Sequence, residues 1–143
     1  MSGTIADLPS MKHSALSFLT HVFKCQTDEA LAMLAPDATW WVLGDPKKIR
    51  VAGTRDVVRI ERLLRGVRGS FPEGMDVQFE GVTAEGERVA VEVIGKGHTM
   101  DGTVYRNRYH FLLKMRDRYV FEVREYLDTQ YVYEFEQTAS TPR

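Results

Sequence analysis

Residues 101–129 read DGTVYRNRYHFLLKMRDRYVFEVREYLDT, and the alternation inside this stretch decides the fold. After the turn signal Asp101-Gly102, the odd positions Tyr105, Asn107, Tyr109, Phe111, Leu113 and Met115 are mostly apolar, while Arg106, Arg108, His110 and Lys114 sit between them. A period of two marks a strand with one face buried. A polar turn around Arg116-Asp117-Arg118 leads into a second run. There Tyr119, Phe121, Val123, Glu125 and Leu127 take the inward parity. The reading is a long antiparallel hairpin with its odd face in the core.

Each inward face carries one polar residue, Asn107 on the first strand and Glu125 on the second. A buried amide needs partners, and a bare carboxylate is expensive to desolvate. The two are therefore either satisfied inside the core or exposed to a cavity that a ligand can enter.

Upstream of the hairpin, 75–83 and 87–99 read as two further strands around Ala84-Glu85-Gly86, with Val89, Val91 and Val93 inward. Gly95 and Gly97 predict a bend or bulge in a curved sheet. Earlier still, Ser10 is a candidate cap for an amphipathic helix through Met11, Ala15, Phe18, Leu19 and Val22, ending near Cys25. Thr27 is read as the cap of a shorter helix that Pro36 ends. The β-branched and aromatic segment 37–43 is a strand, on which Trp40 and Trp41 point to opposite faces. Thr54 is read as the cap of a third helix that buries Val57, Ile60, Leu64 and Val67. Arg55, Arg59, Arg62, Arg65 and Arg68 form its neighbouring ridge, a solvated face or a site for an anion. Residues 130–135 predict a short terminal helix, with fraying from Thr138. The order gives one α+β domain over residues 1–143, core about 10–136, with a curved mixed or antiparallel sheet wrapped around three helices of the N-terminal half.

Composition narrows the function. A net charge of −1 over 143 residues argues against nucleic-acid binding, which draws its affinity from neutralising phosphates. No apolar run approaches the roughly 20 residues that a membrane helix needs. The first residues show no basic start followed by an apolar block, so a cytoplasmic setting is expected. Cys25 has no second thiol, and His13, His21, His98 and His110 lack metal-ligand spacing; neither metal nor cofactor is expected.

The two N-terminal helices, Pro36-Asp37-Ala38-Thr39-Trp40, Gly53-Thr54, the Asp101-Gly102-x-x-Tyr105-x-Asn107-x-Tyr109 strand and Arg124-Glu125-Tyr126-Leu127-Asp128-Thr129 together resemble the SnoaL-like branch of the nuclear transport factor 2-like superfamily. The resemblance spans roughly residues 11–135. It implies a cone-shaped half-barrel with an apolar pocket between sheet and helices, and a homodimer through the sheet. It also brings relatives with different chemistries: ketosteroid isomerase, limonene epoxide hydrolase, scytalone dehydratase and polyketide cyclases. Where the isomerase carries its general-base aspartate, this chain has Trp40-Trp41-Val42-Leu43 and no carboxylate. Against the hydrolase pattern it offers Arg88-Val89-Ala90 and Arg124-Glu125-Tyr126, keeping one carboxylate and replacing the other by Ala90.

These readings give a site for a small apolar molecule. Glu125 is the candidate acid or base, and Asn107 would hold a water or polarise a carbonyl. Trp40, Trp41, Tyr105, Tyr109, Phe111 and Val123 are candidate walls, with a tyrosine able to donate to an oxyanion. Glu92 and His98 are the candidate second polar groups, and Asp128, of opposite parity, is a positioning or capping residue. A non-catalytic binding domain or a dimeric structural module is the alternative.

Overall fold

The computed structural model describes residues 8–139. The elements are α1 (Leu8–Phe23), α2 (Thr27–Ala32), β1 (Leu34–Val42), β2 (Gly53–Arg55), α3 (Val57–Ser70), β3 (Met75–Glu85), β4 (Arg88–His98), β5 (Val104–Arg116), β6 (Tyr119–Leu127) and α4 (Thr129–Ala139). One open six-stranded sheet runs in the order β2-β1-β6-β5-β4-β3. Neighbours are antiparallel except β1 and β6, which are parallel, so the sheet is mixed. On its inner face α1 packs against β3 and β4, α3 against β1 and β2, and α4 against β5.

The alternation of β5 holds along its length: Tyr105, Asn107, Tyr109, Phe111, Leu113 and Met115 are all buried. On β6 it breaks. Val120 is fully buried where Tyr119, 48% exposed, was expected to point inward. The β5–β6 register slips between Lys114↔Glu122 and Met115↔Val120, so Phe121 is the extra residue of a bulge. Its ring lies on the outer side, with the Arg116 guanidinium 4.3 Å above it. From Val123 onward the odd parity is restored, which is what brings Glu125 inside.

Gly95 and Gly97 mark no bulge, because the β4–β5 pairing runs without a shift from Arg88↔Lys114 to His98↔Val104. Close packing explains both. A Cβ on Gly95 would lie 2.5 Å from the Phe23 ring, and one on Gly97 would lie 2.8 Å from Phe71 and Met75. Without those side chains α1 and the end of α3 settle directly on β4.

Helix ends differ from the sequence reading in ways that local chemistry explains. Asp56, not Thr54, caps α3, its carboxylate accepting the Arg59 N–H at 3.1 Å, while Thr54 belongs to β2. Ser10 falls inside α1, which begins at Leu8. Thr27 is the first residue of α2 rather than its cap; its hydroxyl is buried without a partner among the described residues. Pro36 lies within β1, where the pairing jumps from Leu34↔Val120 to Thr39↔Glu122 and a residue without an N–H fits. The terminal helix is longer than expected and includes Thr138; the fraying expected beyond it lies outside the described residues. No helix among the described residues is long and apolar enough to cross a membrane.

Candidate active site

Glu125 sits near the middle of the sheet, on β6 between Val42 of β1 and Phe111 of β5. Its neighbours on the same strand face are Val123 and Leu127. The surroundings are thus apolar on every side that the sheet supplies. Above it a cavity of about 390 Å³ opens between sheet and helices, walled by Phe23, Trp40, Val42, Leu64, Phe71, Tyr105, Tyr109, Phe111 and Leu127. The part of Glu125 that is not covered by protein is part of this wall, so the carboxylate faces the cavity rather than the outside.

One group bonds the carboxylate and a second acts on it through its charge alone. The Trp40 indole N–H donates to Glu125 Oε1 at 2.9 Å, and the charge of Arg55 acts on it from β2. Burial nevertheless wins: it raises the carboxyl from 4.5 to about 7, against the opposing pull of the indole and the guanidinium. A carboxylate in that range can take up and give back a proton near neutral pH. Burying side chains such as Trp40, Phe18 and Phe111, worth roughly 1.5–3 kcal/mol each, outweighs the cost of enclosing one such group.

Asn107 is placed differently. It is 3% exposed, and its amide pairs with the backbone of Asp128 in both directions: Nδ2 donates to Asp128 O at 3.2 Å and Oδ1 accepts from Asp128 N–H at 3.1 Å. Nδ2 also donates to the Tyr105 hydroxyl at 3.0 Å. Asn107 therefore ties β5 to the start of α4. Asp128 continues the tie as a cap, its Oδ1 accepting the Tyr131 N–H at 3.1 Å. The Tyr105 and Tyr109 hydroxyls are 2.8 Å apart on the cavity wall. Burial raises both phenols above their ordinary value, so both keep their protons and one can donate onward.

The remaining expected residues separate by face. Trp40 is inside, edge-on to Phe111 at 6.4 Å. Trp41 is on the outer face, packed 5.1 Å from Tyr126 and 4.9 Å from the Arg124 guanidinium. Val123 is fully buried beneath the wall. Glu92 and His98 are exposed on the far side of β4, because strand parity carries them away from the cavity. Cys25 is partly covered, and burial pushes its thiol up, away from nucleophile character. Among the described residues, no group of three His, Cys, Asp or Glu side chains is placed to hold a metal ion.

Among the wall residues that the sequence did not mark as such are Glu136 and Arg62, both charged. Glu136 of α4, 8% exposed, accepts the Arg50 and Val51 N–H groups at 2.8 and 3.3 Å and so fastens the helix to the loop before β2. Arg62 of α3 lines the cavity. The arginine periodicity had signalled a ridge without showing which member meets a cavity.

The sequence profile of the SnoaL-like domain family matches residues 16–123. The chain belongs to the SnoaL-like domain family. No curated protein matches it. Among solved structures, this SnoaL-like domain is similar to the BvnE pinacolase of Penicillium brevicompactum, with a TM-score of 0.77 and 12% identity over 92% of this chain and 95% of that one. It is also similar to an NTF2-like protein of Anabaena variabilis, at 0.73 and 23% over 90% and 94%. A third is the LEH-like epoxide hydrolase of M. tuberculosis, at 0.72 and 18% over 90% of each chain. At these identities the likeness shows the fold.

Proposed function

We propose that this SnoaL-like domain is an acid/base catalyst for a small, largely apolar molecule, with Glu125 moving the proton. One observation carries the reading: an enclosed carboxylate, raised to about 7 and oriented by one indole N–H, on the wall of an apolar cavity. As a base it would take a proton from carbon or from water; the Tyr105–Tyr109 pair supports the reading as a donor to the oxygen on which charge develops. Asn107 holds Tyr105 and the α4 junction in place and does not touch the ligand in this reading. Isomerase, hydrolase and cyclase chemistry all use such a proton transfer. Structural relatives include a pinacolase and an epoxide hydrolase.

The test is turnover of a panel of small apolar ketones and epoxides, followed by proton NMR in D₂O so that exchange next to a carbonyl is visible. Glu125→Gln should lower any turnover by about a hundredfold or more while the ligand still binds. Turnover that survives the substitution removes the mechanism.

A second reading, ligand binding without catalysis, is favoured by one feature. Proton relay often employs a second titratable group, and the expected candidates Glu92 and His98 are on the opposite face. Binding with no turnover across the panel would select it. We also propose that two copies pair through the outer sheet face around Trp41, Leu112 and Tyr126, and that the setting is cytoplasmic. Light scattering at micromolar concentration should give twice the chain mass.

A further inference from the structure

The five arginines that the sequence lines up have different fates in the fold. Arg55 belongs to β2 and donates to the Val51 and Arg50 carbonyls at 2.6 and 3.2 Å. Arg65 is held by Glu61 at 2.9 Å and Asp28 at 3.2 Å. Arg62 alone among the five lines the cavity, and it makes no ion pair or side-chain hydrogen bond among the described residues. The other carboxylate of the wall, Glu136, is engaged by backbone N–H groups and so leaves Arg62 without a counter-charge.

The exposed members of the cavity wall are Arg50, Arg62, Gly66 and Ser70, which marks this side as the rim. Arg62, Gly66 and Ser70 follow at four-residue steps along one stripe of α3. A Cβ on Gly66 would meet nothing within 4 Å, so no packing demands the glycine, and its effect is to keep the rim open beside Arg62. The cavity thus has an unpaired cation at its entrance, greasy walls, and a carboxylate on the sheet floor.

Resting on the cavity as a ligand site, we propose that its occupant is an amphipathic monoanion, an apolar body carrying one carboxylate or similar acidic group, which enters body first and leaves its charge against Arg62. The charge complementarity argues for this orientation, since the reverse would set the anion beside Glu125. The rim contact is a charge-assisted hydrogen bond, half solvated, and its contribution shrinks with added salt.

The experiment is calorimetric titration at pH 8 with decanoate and with decanol, which differ in charge and are short enough for about 390 Å³. The wild type should bind decanoate about fivefold tighter or more. Arg62→Gln should bring the two to near equality by weakening decanoate alone, and Arg65→Gln, whose arginine is already paired, should leave the preference unchanged. Equal affinities in the wild type, a preference that survives Arg62→Gln, or an equal loss of both ligands in that variant would each overturn the proposal. Decanol binding without a charge preference leaves the cavity reading standing. Failure of both ligands to bind removes the cavity reading and this one together.

Discussion

The side chain of Asn107 makes three hydrogen bonds, two from Nδ2 and one to Oδ1, whereas the Glu125 carboxylate accepts one from a side chain, the Trp40 indole, among the described residues. Both are polar residues at inward positions of adjacent strands. One lies where β5 meets the start of α4, and a backbone amide and carbonyl are at hand to match its own. The other lies at the centre of the sheet, where every backbone group is already in a ladder and nothing is left to satisfy a carboxylate fully. A polar residue saturated by backbone serves the fold. One left with spare lone pairs beside a cavity is available to a ligand.

The contrast breaks most visibly if a charge is placed at the saturated position. Asn107→Asp keeps an acceptor for the Asp128 N–H but loses the donor to Tyr105 and Asp128 O, and it sets an anion against a carbonyl in the core. Urea unfolding at pH 8 should show a loss of about 3 kcal/mol or more, recovering as acid neutralises the new group. A loss below about 1 kcal/mol would mean that the junction is wetter than its burial indicates.

Glu125 gives the converse. Its folded value, about 7, is above its ordinary 4.5, so between these the folded state holds the extra proton. Stability that is fully present below pH 4.5 therefore falls as the pH rises, and the loss is complete above pH 7. It amounts to about 3 kcal/mol. In Glu125→Gln this part of the pH dependence should vanish, so the variant gains on the wild type from pH 5 to pH 8. Parallel curves for the two proteins would show that Glu125 titrates normally and would undercut its role.

How far the sequence carried these conclusions can be followed through the same strands. Alternation on β5 placed Asn107 inside because β5 pairs with β4 without a shift and the slip against β6 is taken up by the extra residue on β6. It also placed Glu125 inside, although the bulge at Phe121 had reversed the parity of Tyr119 and Val120 a few residues earlier. A slip of one residue leaves no mark in a run where both parities carry aromatics. The order of the helices and of five of the six strands was legible because turns and periodicity are local; β2, three residues long, reads as the start of the third helix. The division of labour between the two polar residues was not legible. It depends on Asp128, which meets Asn107 when β5 and β6 pair, and on Trp40 and Arg55, which meet Glu125 when β1, β2 and β6 align.

Smaller changes trim single bonds around each of the two residues. Trp40→Phe removes the one indole N–H that favours the charged form of Glu125, so its titration midpoint should rise above 7 by about half a unit to one unit. Carboxyl-carbon NMR would follow it, and a midpoint that falls would show that the indole is not a net stabiliser of the anion.

Tyr105→Phe tests the other side. It deletes the hydroxyl between Asn107 and Tyr109, yet Asn107 keeps both bonds to Asp128. The fold should lose only about 1 kcal/mol. The cavity changes more than the fold does, because the Tyr109 hydroxyl loses its neighbour and becomes free to bond a ligand directly. If the Asn107 network is purely structural, Glu125 should titrate unchanged in this variant. A shift of its midpoint by more than a few tenths of a unit would couple the two polar residues, and would make Asn107 part of the site through Tyr105.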